Sequence, residues 1–181
     1  MGLRLLDRLM GREDPSPVAA KAAEPESAKS HDVIVVPTPV EGEVVPLAEV
    51  PDPVFSKGML GPGVAVRPSS GLVRAPLSGV VSAMFPTGHA LGLSCDNGLE
   101  LLIHIGLDTV ELGGKHFEPL VVQGERVEAA QPLVSFDVAA VAEEGYNPIV
   151  PVLVSNGAEF ASVIAQLAGE DAGERLLVVE R

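Results

Sequence analysis

Two histidines, His89 and His104, stand fifteen residues apart, and His104 is set in the apolar run Leu99-Glu-Leu-Leu-Ile-His-Ile-Gly-Leu-Asp108. An imidazole has no packing use in a Leu-Ile strand. Two imidazoles brought together can act, one as nucleophile beside the other's ring N–H, or both as ligands of a metal. Between them Cys95-Asp-Asn-Gly98 ends in Asn-Gly, so residues 89–95 and 99–105 are expected to pair as antiparallel strands of a hairpin. With Asn97-Gly98 as the loop, His104 falls opposite Leu91 and His89 lies diagonally on the same face, about 7–8 Å away. With residues 95–98 or Asp96-Asn97 as the loop, the two histidines are directly opposed at about 4.5–5.5 Å. Only a loop with an odd number of residues would send them to opposite faces, because side chains alternate with period two.

The elements that must position this pair are strands. Short Val-rich runs at 33–36, 42–47, 64–67, 73–75, 79–85, 89–94, 99–105, 119–122, 131–136, 149–155 and 176–179 are separated by Pro, Gly, Asn or Asp. This spacing predicts an all-β fold, an antiparallel sandwich or barrel with Greek-key-like connections. Pro39-Val-Glu-Gly-Glu-Val-Val45 and Pro76-Leu-Ser-Gly-Val-Val-Ser82 repeat at an offset of 37 residues, which suggests pseudo-symmetric halves. Two short helices are expected. One spans 138–144 behind Asp137 as N-cap. The other spans 160–167, where Phe160, Val163, Ile164 and Leu167 have amphipathic helical spacing.

At 181 residues the chain fits one domain with a tail, and 46% hydrophobic residues with no Trp, one Tyr and five Phe mean an aliphatic core. A net charge of −13 excludes a nucleic-acid binder and suits basic protein partners. The single cysteine, Cys95, excludes an internal disulfide and reads as a small buried hydrophobe. No apolar run approaches a membrane span and no signal-peptide pattern is present, so a cytoplasmic protein is expected. Residues 1–12, with Leu3, Leu6, Leu9 and Met10 among Arg4 and Arg8, fit a short amphipathic helix that would bring the protein to the inner membrane face. Residues 13–31, which include His31, read as a flexible linker, and residues 32–181 as the folded domain.

The block Gly98-Leu-Glu-Leu-Leu-Ile-His-Ile-Gly-Leu-Asp-Thr-Val-Glu-Leu112, followed by Gly-Gly-Lys-His-Phe117 and Gln123-Gly-Glu-Arg-Val127 and preceded by Ala75-Pro-Leu-Ser-Gly79, resembles the glucose-type enzyme IIA component of the bacterial phosphoenolpyruvate-dependent sugar phosphotransferase system. The likeness runs from about residue 32 to the C-terminus. It implies a phosphocarrier that takes a phosphoryl group from the histidine-containing phosphocarrier protein onto His104 and passes it to a cysteine of a sugar-permease IIB domain. His89 matches the partner histidine that stabilises the phosphoryl group, and Thr87 the threonine that orients it. Val54, Phe55, Met59, Leu60, Phe85 and Leu91 match or lie near a hydrophobic docking rim that excludes water, and Asp52 and Asp108 match acidic residues that would pair with arginines of the phosphocarrier. Departures from the family pattern are Pro86 and Gly88 ahead of His89, and Ala129-Ala130-Gln131 where relatives carry a turn with Gly.

The residues are suited to that chemistry. A neutral imidazole attacks phosphorus without a separate base, and charge on the transferring oxygens calls for nearby donors. No cofactor is required. The alternative is a zinc-binding or purely regulatory module using the His89/His104 face, with zinc completed at a partner interface and permeases or kinases as regulatory targets. A swinging-arm carrier is disfavoured, since Lys115 in Gly-Gly-Lys-His lacks the flanking residues of a lipoyl or biotinyl site. His116, in the same Gly-rich loop, is expected to be solvated.

Overall fold

A computed structural model describes residues 32–167 and 175–181; the readings of residues 1–12 and 13–31 lie outside them. The strands are β1 (Val33–Val36), β2 (Gly42–Pro46), β3 (Gly63–Pro68), β4 (Leu72–Arg74), β5 (Gly79–Met84), β6 (Ala90–Cys95), β7 (Glu100–His104), β8 (Phe117–Pro119), β9 (Arg126–Val127), β10 (Pro132–Phe136), β11 (Val150–Val154), β12 (Ser162–Ala165) and β13 (Leu177–Glu180). Two short helices, α1 (Pro53–Ser56) and α2 (Val138–Glu143), complete an all-β fold. Every strand pairing is antiparallel.

The main sheet runs β2-β3-β11-β7-β6-β5-β9. Leaving aside the two-residue β9, it has a pseudo-two-fold arrangement: hairpin β2-β3 on one side, β5-β6 on the other, and β11-β7 between them. The two repeats noted in the sequence open the corresponding strands, β2 and β5. Gly42 and Gly79 hold matching places there, because a Cβ on either would collide with a partner-strand carbonyl, that of Arg67 or of Ser94. Close backbone approach therefore requires glycine at both repeats.

Two three-stranded sheets, β1-β13-β12 and β4-β10-β8, share one aliphatic core with the main sheet. Val36, Leu177 and Val179 come from the first, Val73, Leu133 and Val134 from the second, and Leu93, Leu101, Ile103 and Val152 from the main sheet. A smaller cluster of Val45, Val50, Phe55, Ala65, Leu107, Ile149 and Leu153 is separate from this core. That second cluster takes the other face of the main sheet, and the histidines lie beside it.

The reading of 160–167 as a helix is corrected. Residues 162–165 are strand β12, paired with β13 from Ser162↔Glu180 to Ala165↔Leu177. Phe160, Val163 and Ala165 pack on the core while Ile164 is exposed, so period two won over the helical spacing. The segment is short, its centre is β-branched Val163-Ile164, and β13 offers a ladder with Ser162 Oγ donating to Glu180 at 2.9 Å. The strand expected at 119–122 sits earlier, at β8, where Phe117 stacks on Phe136. Helix α2 begins behind Asp137, whose carboxylate accepts from Ala140 N–H at 3.0 Å.

Candidate phosphoryl-transfer site

The hairpin that carries the histidines is built on a loop no expected register contained. Cys95 pairs with Leu99 and the loop is the three residues Asp96-Asn97-Gly98: Gly98 N–H donates to Cys95 O at 2.9 Å and Cys95 N–H to Leu99 O at 2.8 Å. Gly98 has φ +86°, the left-handed residue that closes a three-residue loop after a tight turn. The ladder then places His104 opposite Ala90, and alternation alone would point His89 toward the core.

The rings nevertheless meet, with centroids 5.1 Å apart and planes at 78°. His89 precedes the first residue of β6 and leaves a turn over residues 85–88, where Gly88 N–H donates to Phe85 O and Gly88 has φ +71°. Pro86 occupies a favoured place in such a turn, and a Cβ on Gly88 would press on Pro119 and Phe117. The strand's alternation does not extend back to His89, so its ring is free to turn over the end of the sheet.

β7 sends Leu101 and Ile103 into the main core and Leu102 and His104 to the opposite face. There the His104 ring lies 5.1 Å from Phe55 of α1, and Phe85 lies edge-on to His89 at 5.4 Å. The two imidazoles are thus flanked by two phenyl rings. His89 is buried and held at Nδ1 by the Thr87 hydroxyl, while His104 Nδ1 lies 2.8 Å from Gly106 O. A carbonyl only accepts, so His104 Nδ1 carries the proton and Nε2 keeps its lone pair.

Burial sets the charge state of both. It pushes His89 from an ordinary 6.5 down to about 4, with His104 adding to the effect. His104 is also lowered by burial, against the opposing pull of the Gly106 carbonyl, Asp52 and Asp108. Both rings are neutral at neutral pH. Burial raises the Cys95 thiol to about 12, as fits a small core residue.

Of the residues read as the rim, Val54, Met59, Leu60 and Phe85 are exposed apolar side chains. Leu91 is not part of it: fully buried, it faces Ile103 across the ladder inside the main core. Phe55 is a buried wall of the His104 pocket. Asp52 is the N-cap of α1, its Oδ1 accepting from Val54 N–H at 2.7 Å and Phe55 N–H at 3.4 Å. The Asp-Pro pair at N-cap and first helical position was the available signal for α1. Asp108 is exposed in the left-handed region at φ 57°. His116 is half-buried against Glu144, which also pairs with Lys115, so it is not simply solvated. Thr109, fully buried, was not singled out by spacing or composition.

Among the described residues no group of three or more His, Cys, Asp or Glu is placed to hold a metal, and no helix is long and apolar enough to cross a membrane. The solved structure of the glucose permease IIA from Mycoplasma capricolum is similar to this chain at 36% identity, covering 81% of this chain and 95% of that one with a TM-score of 0.72. Residues 34–160 match the family described as phosphoenolpyruvate-dependent sugar phosphotransferase system, EIIA 1. The chain belongs to that family, as a phosphocarrier that acts through a phosphohistidine.

Proposed function

We propose that His104 is the phosphorylated residue and that the group enters and leaves at Nε2. The observation that carries this reading is the His104 Nδ1–H bond to Gly106 O at 2.8 Å, which leaves Nε2 unprotonated beside the His89 ring. In the accepting step a bond forms between phosphorus and His104 Nε2 as the bond between phosphorus and the donor's histidine breaks, with no proton needing to leave His104. The proton stays on Nδ1, donated in the hydrogen bond to Gly106 O, so the phosphorylated ring is cationic and remains a good leaving group for the next transfer. Positioning and donors aimed at the phosphoryl oxygens supply most of the catalysis. His89 Nε2–H is such a donor when the Thr87 hydroxyl donates to Nδ1, which makes Thr87 the orienting residue.

The surroundings fit a carrier that must keep water out until a partner arrives. Phe55 and Phe85 cover the rings, and Val54, Met59 and Leu60 add exposed apolar surface. Asp52 and Asp108 beside it favour a basic partner face, here assigned to the histidine-containing phosphocarrier protein and to a permease IIB domain. The glucose permease likeness supports a glucose-type sugar system. A cytoplasmic setting, with residues 1–12 resting on an anionic membrane, completes the reading; deletion of those residues should abolish co-sedimentation with anionic vesicles.

Incubation with phosphoenolpyruvate, enzyme I and the phosphocarrier, followed by intact mass, tests the assignment. Wild type and His89→Gln should gain one acid-labile phosphate, with onward transfer failing in the latter. Phosphorylation of His104→Gln at the wild-type level would refute it. Zinc would find at most two imidazole nitrogens here, half a tetrahedral set, so it could be held only with ligands from a partner. Phosphoryl acceptance should accordingly be insensitive to a chelator.

A further inference from the structure

The tautomer that frees His104 Nε2 depends on one carbonyl, Gly106 O, and on how the chain leaves β7. Beyond Ile105 the backbone reverses sharply, with Gly106 at φ +79° and Asp108 at φ 57° both left-handed. Asp108 pays for this with no side-chain cap bond to the short helical turn Thr109–Leu112 that follows. The reversal is pinned at its amides, Gly106 N–H donating to Ile149 O and Leu107 N–H to Asn147 O, each at 2.9 Å.

One side chain joins these pins. Thr109 is fully buried, and its hydroxyl reaches back four residues to donate to Ile105 O at 2.6 Å. Its methyl fills the space where a Cβ on Gly106 would stand, so Thr109 meets the Ile105–Gly106 peptide on two sides. Ile105 N–H in turn donates to His89 O at 2.6 Å, which links the same strand end to the second histidine.

We propose that Thr109 is a positioning residue for phosphoryl transfer: by holding the Ile105 carbonyl and abutting Gly106, it aims the Gly106 carbonyl at His104 Nδ1 and so keeps Nε2 as the nucleophile. The kinetic part of this proposal rests on the assignment of His104 as the phosphorylated residue; the structural part does not. Thr109→Val keeps the shape and removes the donor, whereas Thr109→Ser keeps the donor.

Nitrogen-15 NMR of the imidazoles reads the tautomer directly, without any phosphoryl donor. Wild type and Thr109→Ser should show His104 protonated at Nδ1, and Thr109→Val a mixture with the Nε2–H form. Phosphorylation by the phosphocarrier should fall about tenfold in kcat for Thr109→Val with KM unchanged, and recover in Thr109→Ser, the effect of losing one hydrogen bond of ordinary worth. Thr109→Val with wild-type tautomer and rate would overturn the proposal. If Thr109→Val fails to fold, Thr109→Ala decides in its place: a mixture of His104 tautomers supports the proposal, and the wild-type tautomer overturns it. A tautomer change in Thr109→Val combined with undiminished phosphorylation of His104→Gln would sink the His104 assignment and the kinetic part with it, and leave standing only the control of the His104 tautomer by Thr109.

Discussion

Protonation of His89 should cost the folded protein stability in mild acid, and the size of the cost follows from its burial. The folded-state value is about 4 against an ordinary 6.5, because desolvation of the ring dominates and the His104 ring adds to it. Above pH 6.5 both folded and unfolded chains hold His89 neutral, and its full contribution is present. As pH falls below 6.5 the unfolded chain takes up a proton that the folded protein refuses, so stability declines until the folded site also protonates near about pH 4. At 1.36 kcal/mol for each pH unit, the loss over that window reaches about 3 kcal/mol. His89→Gln lacks this titration while keeping the carboxylates that both proteins share. Urea unfolding of the two proteins between about pH 7.5 and about pH 4.5 isolates the difference, and proton NMR of the His89 ring gives its midpoint. Parallel stability curves, or a His89 midpoint near 6.5, would refute the reasoning.

Other perturbations separate roles that coincide in the native protein. Asp52→Ala should lose about 1 kcal/mol of stability through the uncapped α1, whereas Asp52→Asn keeps a cap and should lose only the charge. Phosphocarrier binding, measured by titration calorimetry, should therefore weaken in both, with thermal stability reduced in the alanine variant alone. Phe55→Ala empties a buried position in the small second cluster and should cost about 3 kcal/mol by denaturant unfolding, and if His104 is the carrier, as proposed, its phosphate should hydrolyse faster once that cover is gone. Ala130 sits at φ +67°, a conformation glycine adopts without a Cβ penalty, so Ala130→Gly should raise stability by about 1 kcal/mol with phosphoryl transfer unchanged. A fall in its melting temperature would show that the turn is not strained.

The departure at Ala129-Ala130-Gln131 was visible only against the family that the chain resembles, and the left-handed backbone at Ala130 was not visible in the sequence. The turn is held by Ala130 N–H donating to Ala75 O and by Arg74 donating to Ala130 O, partners more than fifty residues away. The helical spacing at 160–167 misled for a similar reason. The four apolar positions fit the helical period alone, yet pairing with the edge of β13 turns Val163 and Ala165 inward and leaves Ile164 and Leu167 exposed. Asp52 was legible as an acidic residue near the site, while its capping of α1 required seeing Asp-Pro as a helix start.

Residue identities by themselves determined an all-β chain with aliphatic strands, a repeat that opens corresponding strands, and a histidine pair whose flanking block marks the family. Those are properties of local pattern, carried by period-two burial and turn residues. The meeting of the two rings was decided by tertiary structure. The hairpin loop has three residues, and strict alternation would have parted His89 from His104; the turn before β6 frees His89 from the ladder, and the reversal after β7 aims a carbonyl at His104. Both devices act at strand ends, where long-range hydrogen bonds and burial fix the backbone and no periodicity in the chain can announce it.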